Sequence, residues 1–223
     1  MKSTYKKGLA VLITLFGMSN AFAGLIYEPL GVESNADADI ASYALANLTN
    51  QSGISESYVS GVTDFDSFVA TAVTNVTSTG QAGVSFLSSP LLGQHVLDFA
   101  FGGELLFTRL ALWNDTDAQS LGSFQVFASA DSSFSSLTLL GSFTATTQAI
   151  GSLAQVFDFT NTVSTQFIRI VGDEINSGNN RLQINEIAFE AETGTGLVDV
   201  PEPTSLALFG AALLGLLRLG RKA

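Results

Sequence analysis

From residue 95 onward the chain alternates short apolar runs with clusters of Gly, Ser, Thr, Asn and Asp. In His95–Phe101 (HVLDFAF), Leu97, Phe99 and Phe101 fall on one face of an extended chain and Asp98 and Ala100 on the other. That two-residue period predicts a half-buried strand. A turn is expected at Gly102-Gly103-Glu104, followed by a second strand over Phe107–Trp113 (FTRLALW). Further strands are predicted at Ser123–Ala130, Leu137–Thr146, Ala154–Thr160, Thr165–Val171 and Leu182–Glu190. Seven short strands in 96 residues, with turn residues between them, predict an all-β sandwich or jelly roll. Upstream, residues 36–50 (ADADIASYALANLTN) place Ile40, Tyr43, Ala44 and Leu48 near helical spacing, so a short helix is expected there. Residues 53–79 are Ser/Thr-rich and follow neither period.

The two ends carry a different pattern. Lys2, Lys6 and Lys7 precede an uncharged apolar run over Gly8–Met18, and Ala21-Phe22-Ala23 then forms a small-x-small site. These parts, in this order, predict a secretory signal over residues 1–23, cut after Ala23 to leave Gly24 first. At the other end, residues 194–200 (GTGLVDV) read as a linker. Pro201-Glu202-Pro203 follows, then the apolar run 206–217 and a basic end with Arg218, Arg221 and Lys222. Twelve apolar residues rise about 18 Å as a helix, short of the roughly 30 Å hydrocarbon core. The basic end fits retention on the cytoplasmic side of the inner membrane. Prolines around Glu202 keep that segment extended and open to a processing enzyme. The expected division is therefore 1–23 signal helix, 24–193 body, 194–200 linker and 201–223 anchor.

Charge sharpens the picture. The whole chain has nine basic and 20 acidic residues, but residues 24–200 contain only Arg109, Arg169 and Arg181 against 19 acidic residues. Such a surface repels phosphate backbones, which argues against nucleic-acid binding. There is no cysteine, which excludes disulfides and thiolate chemistry. A cysteine-free exported chain suits a bacterium, so the sequons at Asn47, Asn75 and Asn114 read as chance matches. The single histidine, His95, excludes a two-histidine metal site and is expected to be structural. Neither a Gly-x-Ser-x-Gly elbow nor a Gly-x-x-x-x-Gly-Lys loop is present, and no nucleophile–base pair is visible. Enzymatic activity is not expected.

The C-terminal arrangement resembles the PEP-CTERM sorting signal of exopolysaccharide-producing Gram-negative bacteria. The resemblance rests on Pro201, Glu202 and Pro203, the short apolar helix and the Arg/Lys end. It implies recognition and processing by a membrane enzyme, exosortase, after export by the general secretion machinery. The body resembles a discoidin domain, a galactose-binding-like jelly roll. Val96-Leu97-Asp98-Phe99, Phe107 to Asn114, Phe124 to Asp131, Gln166 to Ile170 and Gln183 to Phe189 carry that resemblance in order. Asn50-Gln51-Ser52-Gly53 stands where the family's pattern leads us to expect an Asp-Gly.

By the same resemblance a structural calcium is implied, with Glu186 on the closing strand and Asn50 and Asp64 as loop partners. Asp64 and Asp66 flank Phe65 and share a face if that segment is extended. Arg169, between Ile168 and Ile170, is expected in a buried ion pair, and Tyr58 and Trp113 are weighed as sugar-stacking aromatics against core positions. Two functions follow as expectations. One is an exported protein at the cell surface or in the matrix that binds polysaccharide. The other is a structural matrix or biofilm component without a discrete ligand site.

Overall fold

A computed structural model describes residues 24–75, 81–174 and 180–193. The predicted signal helix, the linker and the C-terminal sorting and anchor segment lie outside the described residues. Among the described residues no helix is long and apolar enough to cross a membrane.

The architecture is a jelly-roll β-sandwich. Its strands are β1 (Leu25–Tyr27), β2 (Gly31–Ser34), β3 (Phe86–Leu87), β4 (His95–Asn114), β5 (Leu121–Ser129), β6 (Leu137–Thr144), β7 (Gln155–Asp158), β8 (Ser164–Glu174) and β9 (Gln183–Thr193). All strand pairings are antiparallel. One helix, α1 (Phe65–Val69), lies in the ambiguous Ser/Thr-rich stretch.

The fold turns on β4. The expected turn at Gly102-Gly103-Glu104 is not a turn between two strands. The chain runs on as one strand of 20 residues with its register shifted between Ala100 and Leu105. Two adjacent glycines allow that bulge and bend without breaking the strand. The first half of β4 pairs with β2 and β8, and the second half with β9 and β7. One sheet is thus β2-β4-β8-β5-β6, and the other contains β7, β4, β9, β1 and β3. Leu97, Phe99 and Phe101 from the first half and Phe107, Leu110 and Leu112 from the second meet in one buried core. The Phe101 and Phe107 rings, on either side of the bend, lie 4.6 Å apart. Burying ten or more such side chains, at about 1.5–3 kcal/mol each, is what holds the sheets face to face.

The two outer faces differ. The outer face of the β9 sheet is covered by the N-terminal segment. Ile54, Tyr58, Phe65, Phe68 and Ala72 pack there on Ala111, Trp113 and Ala188 as a second buried cluster. On the β2-β4-β8-β5-β6 sheet the outward phase is less buried: Ser123, Gln125, Ser142 and Asp173 are exposed, Arg169 and Val171 are half-buried, and Phe134 of the β5–β6 loop lies against Arg169. The short helix expected in 36–50 is replaced by two 3₁₀ turns, Ala41–Tyr43 and Leu45–Leu48. Leu48 alone of the apolar set drops into the main core, while Ile40 stays exposed. Leu48 buried, with Ala38 and Leu45 only partly covered against the core, gives too little burial to carry a full α-helix.

Candidate functional site

On the open sheet, register sets which polar residues meet. Gln125 pairs across to Ser142 on β6 and Val171 on β8, and Ser123 pairs to Thr144. These residues take the outward phase, while Phe124 and Val126 take the inward one. Together with Gln94 and Asp173 they line an open depression of about 420 Å³. That is within the range of small-ligand sites. Gln94 Nε2 donates to Asp173 Oδ2 at 3.3 Å and Gln125 Nε2 donates to Ser142 Oγ at 3.2 Å, so the walls are braced side chain to side chain. Gly172 sits on the inward phase beneath, where a Cβ would meet Phe124 Cβ at 2.7 Å and Leu121 Cδ1 at 2.8 Å.

Two residues along β8 from Val171 is Arg169. Its Nε and Nη2 each donate to Asp98 at 2.7 Å, a bidentate pair between neighbouring strands. The expected ion pair is present, but on the open face rather than in the core, with the guanidinium about one-quarter exposed. The β5–β6 loop folds back so that the Phe134 ring lies 4.3 Å from the guanidinium carbon and 6.1 Å from the Phe167 ring. Phe134 adopts φ +54°, a left-handed backbone that a bulky residue rarely takes. Sequence reasoning placed Gln125, Ser142 and Phe134 in the β5–β6 hairpin but named neither them nor Asp173 as site residues. The polar outward phase of β5 was legible, but not that β8 and β6 would be its neighbours.

The covered face holds two buried glutamates, Glu186 and Glu190, one helical-turn's worth of sequence apart but on the same phase of β9. Glu190 is fully partnered. Arg109 donates to it through Nε at 2.5 Å and Nη2 at 2.6 Å, and Thr108 Oγ1 donates at 2.6 Å. The same Arg109 reaches Asp66 Oδ1 at 2.7 Å and stacks 4.7 Å over Phe65. Glu186, opposite Trp113, has no exposed surface, and neither of its carboxylate oxygens makes a hydrogen bond of normal geometry. Burial pushes its carboxyl well above the ordinary carboxylate range, and only the amides of Gln51 and Gly53 favour the charged form. Burial, with Glu186 and Glu28 nearby, also drives the Tyr58 phenol upward. The Tyr58 hydroxyl and Asn185 Oδ1 are likewise buried without a hydrogen bond. Buried polar atoms left this way are rare in native folds and call for a ligand or a proton.

The three residues expected around a calcium are placed differently. Asn50 adjoins Gln51, whose amide faces Glu186; its own Oδ1 accepts from Ser52 N and Oγ at 3.0 and 2.5 Å. Asp64 is elsewhere. It caps α1 by accepting from Ser67 N at 2.8 Å, and hydrogen bonding to Ser67 holds its carboxyl below the usual range. Asp64 bridges Leu25, which pairs with Ala191, five residues beyond Glu186. That is roughly 16 Å along the strand. Asp64 and Asp66 do not share an extended face, because the chain enters a helix between them. Among the described residues no three His, Cys, Asp or Glu cluster as metal ligands. Donors beside Glu186 would therefore be carbonyl, amide and hydroxyl oxygens, the hard set that calcium accepts.

Neither aromatic weighed for sugar stacking is available for it. Trp113 is fully buried and donates from Nε1 to Ala72 O at 3.0 Å, and Tyr58, in the N-terminal segment packed on it, is 5% exposed. His95 is 1% exposed; burial lowers its pKa against the opposing pull of Glu174, whose Oε2 lies 3.9 Å from Nε2.

Residues 199–222 match the PEP-CTERM protein-sorting motif. No curated protein matches the chain. Among solved structures, the CBM32 of AlyQ in complex with 4,5-unsaturated mannuronic acid is similar at TM-score 0.46 and 18% identity, covering 74% of this chain and 97% of that one. A pectin binding carbohydrate binding module is similar at TM-score 0.48 and 16% identity, covering 77% and 95%. CpGH89CBM32-5 from Clostridium perfringens, in complex with GalNAc-β-1,3-galactose, is similar at TM-score 0.47 and 8% identity, covering 71% and 93%.

Proposed function

We propose that this is an exported, non-catalytic protein, sorted by its C-terminal signal, whose sandwich binds polysaccharide at the cell surface or in the extracellular matrix. The observation that carries the sorting half is the match of residues 199–222 to the PEP-CTERM motif. In this reading the secretion machinery exports the chain and residues 1–23 are removed. The 206–217 apolar run then holds it in the inner membrane while exosortase reads Pro201, Glu202 and Pro203. The binding half is supported by the open depression on the β5-β6-β8 surface, whose polar lining includes hydroxyl and amide side chains. Such groups match sugar hydroxyls one for one as donors and acceptors.

The Glu186 carboxylate, with oxygens from the Asn50–Gly53 segment and Tyr58, would hold a structural calcium. A bound calcium would neutralise the buried charge and tie the N-terminal segment to β9. The acidic, lysine-free body also suits the second reading, a matrix component acting through bulk cations.

Two readouts test the proposal. In the native host, the wild-type protein is expected at the surface or in the matrix, and a Pro201→Ala, Glu202→Ala double variant is expected to stay with the inner membrane. Equal distribution of the two would remove the sorting role. Retention of the wild-type protein on immobilised exopolysaccharide from the same host is expected. A folded protein that flows through unretarded would leave the matrix-component reading in its place.

A further inference from the structure

We propose that the sugar site is the open face of the β2-β4-β8-β5-β6 sheet, and that it selects neutral, hydroxyl-rich chains over uronates. This rests on the glycan-binding reading above and assigns that reading a place and a ligand class. Three observations lead to it. The depression beside Gln125 has Phe124, Phe143 and Val171 in its lining and, as polar groups, two amides (Gln94, Gln125), three hydroxyls (Ser123, Ser142, Thr144) and one carboxylate (Asp173), with no cationic side chain. Amides and hydroxyls both give and accept hydrogen bonds, and a carboxylate accepts from paired hydroxyls, so each suits a neutral sugar edge.

Arg169, two residues along β8 from the lining residue Val171, is already held by both oxygens of Asp98 at 2.7 Å. It is therefore a poor receptor for a second carboxylate, and Asp173 repels one directly. Uronate recognition of the usual kind needs a guanidinium with a free fork.

The third observation is the aromatic shelf. Arg169 and Val171 are two positions apart on β8, both in the outward phase, so the Phe134–Arg169–Phe167 stack begins about 7 Å from the depression along the strands. A chain lying along β8 and β5 places one sugar in the depression and the next against the Phe134 ring. Apolar sugar faces pack on such rings, and the Phe134 ring is held in place by Arg169 and Phe167. On the opposite sheet Trp113 is buried by the N-terminal segment, whose own Tyr58 packs into the same cluster, so neither ring is open to a sugar.

The test uses the full chain with its own leader, solubilised in a zwitterionic detergent. Its probes are neutral gluco-, manno- and galactohexaoses, with oligogalacturonate and oligomannuronate of equal length, measured by titration calorimetry. At least one neutral hexaose is expected to bind and the uronates at least tenfold more weakly. Gln125→Ala and Phe134→Ala are each expected to weaken binding about tenfold, the loss of one good contact. Val62→Ser, on an exposed residue outside this face, is expected to bind as wild type. Thermal unfolding of each variant establishes that it is folded, and Ser142→Ala, a smaller change in the same wall, serves if Phe134→Ala unfolds. Binding of a neutral sugar that survives all the sheet-face changes overturns the placement and leaves glycan binding standing. Preference for uronates overturns the ligand class. No binding by any probe overturns this inference and the glycan reading together.

Discussion

Glu186 and Glu190 lie on the same face of one strand and are both buried, yet the same substitution is expected to act on them with opposite sign. Glu190→Gln replaces a carboxylate that receives three hydrogen bonds, two from Arg109 and one from Thr108. Charge-assisted bonds contribute about 1.5–3 kcal/mol each when lost singly, and Gln can keep only part of the set. A loss of about 2–3 kcal/mol corresponds to roughly 4–12 °C in unfolding temperature for a chain of this size. Glu186→Gln instead removes a carboxyl with no such partners.

With chelator present, its effect depends on pH in a defined direction. The folded-state pKa of Glu186 is raised above the model-compound value of 4.5. A raised pKa means that the native state holds the proton more tightly than the unfolded one. Stability is then fully present below pH 4.5 and falls as pH rises toward the folded value, by at most about 1.4 kcal/mol per pH unit. Glu186→Gln lacks that fall, so in chelator it is expected to match wild type at pH 4.5 and exceed it at pH 7. Calcium reverses the order. A cation held by the carboxylate at 100 times its dissociation constant adds about 2.7 kcal/mol to wild type alone. The assay is thermal unfolding of wild type and both variants at pH 4.5 and 7, in chelator and in millimolar calcium. Equal calcium stabilisation of wild type and Glu186→Gln would show that no metal sits there. A Glu186→Gln variant less stable than wild type at pH 7 in chelator would show that the carboxylate is satisfied by the protein itself.

Three other outcomes follow from the packing. His95 has its pKa lowered from 6.5, so the stability it contributes is present above that pH and is lost as pH falls through the folded value; His95→Gln is expected to flatten this acid limb of the urea-unfolding profile. Trp113 is the only tryptophan and fully buried, so native emission is expected to be blue-shifted and unmoved by any sugar titration, while Trp113→Phe, losing the bond to Ala72 and leaving a void, costs about 2–4 kcal/mol in urea unfolding. Gly172→Ala drives a methyl into Phe124 and Leu121 below the depression, which is expected to cost about 1–3 kcal/mol and to weaken sugar binding measured by calorimetry.

The period-2 runs from Leu97 to Phe189, the turn residues between them and the shortage of helical spacing determined an all-β body without reference to any structure. Residue chemistry alone also picked out the Pro201-Glu202-Pro203 end and the acid-rich, cysteine-free body, because composition and short motifs are local properties of the chain. What only the tertiary structure decided was which strands become neighbours. Gly102 and Gly103 read as a turn, but the hydrogen bonds available to β4 on both sides made a bent continuous strand more favourable, and that bend created the two sheets. Trp113 and Tyr58 have the chemistry of sugar-stacking residues, and it took the N-terminal segment folding over β9 to bury them. Asp64 and Glu186 look equivalent as oxygen donors. Capping α1 committed one of them, and pairing opposite Trp113 left the other buried with only the Gln51 and Gly53 amides facing it. Gln125, Ser142 and Asp173 are ordinary outward polar residues in sequence, far apart. They become a wall only because antiparallel register brings β5, β6 and β8 side by side, and register is a long-range property that no local pattern encodes.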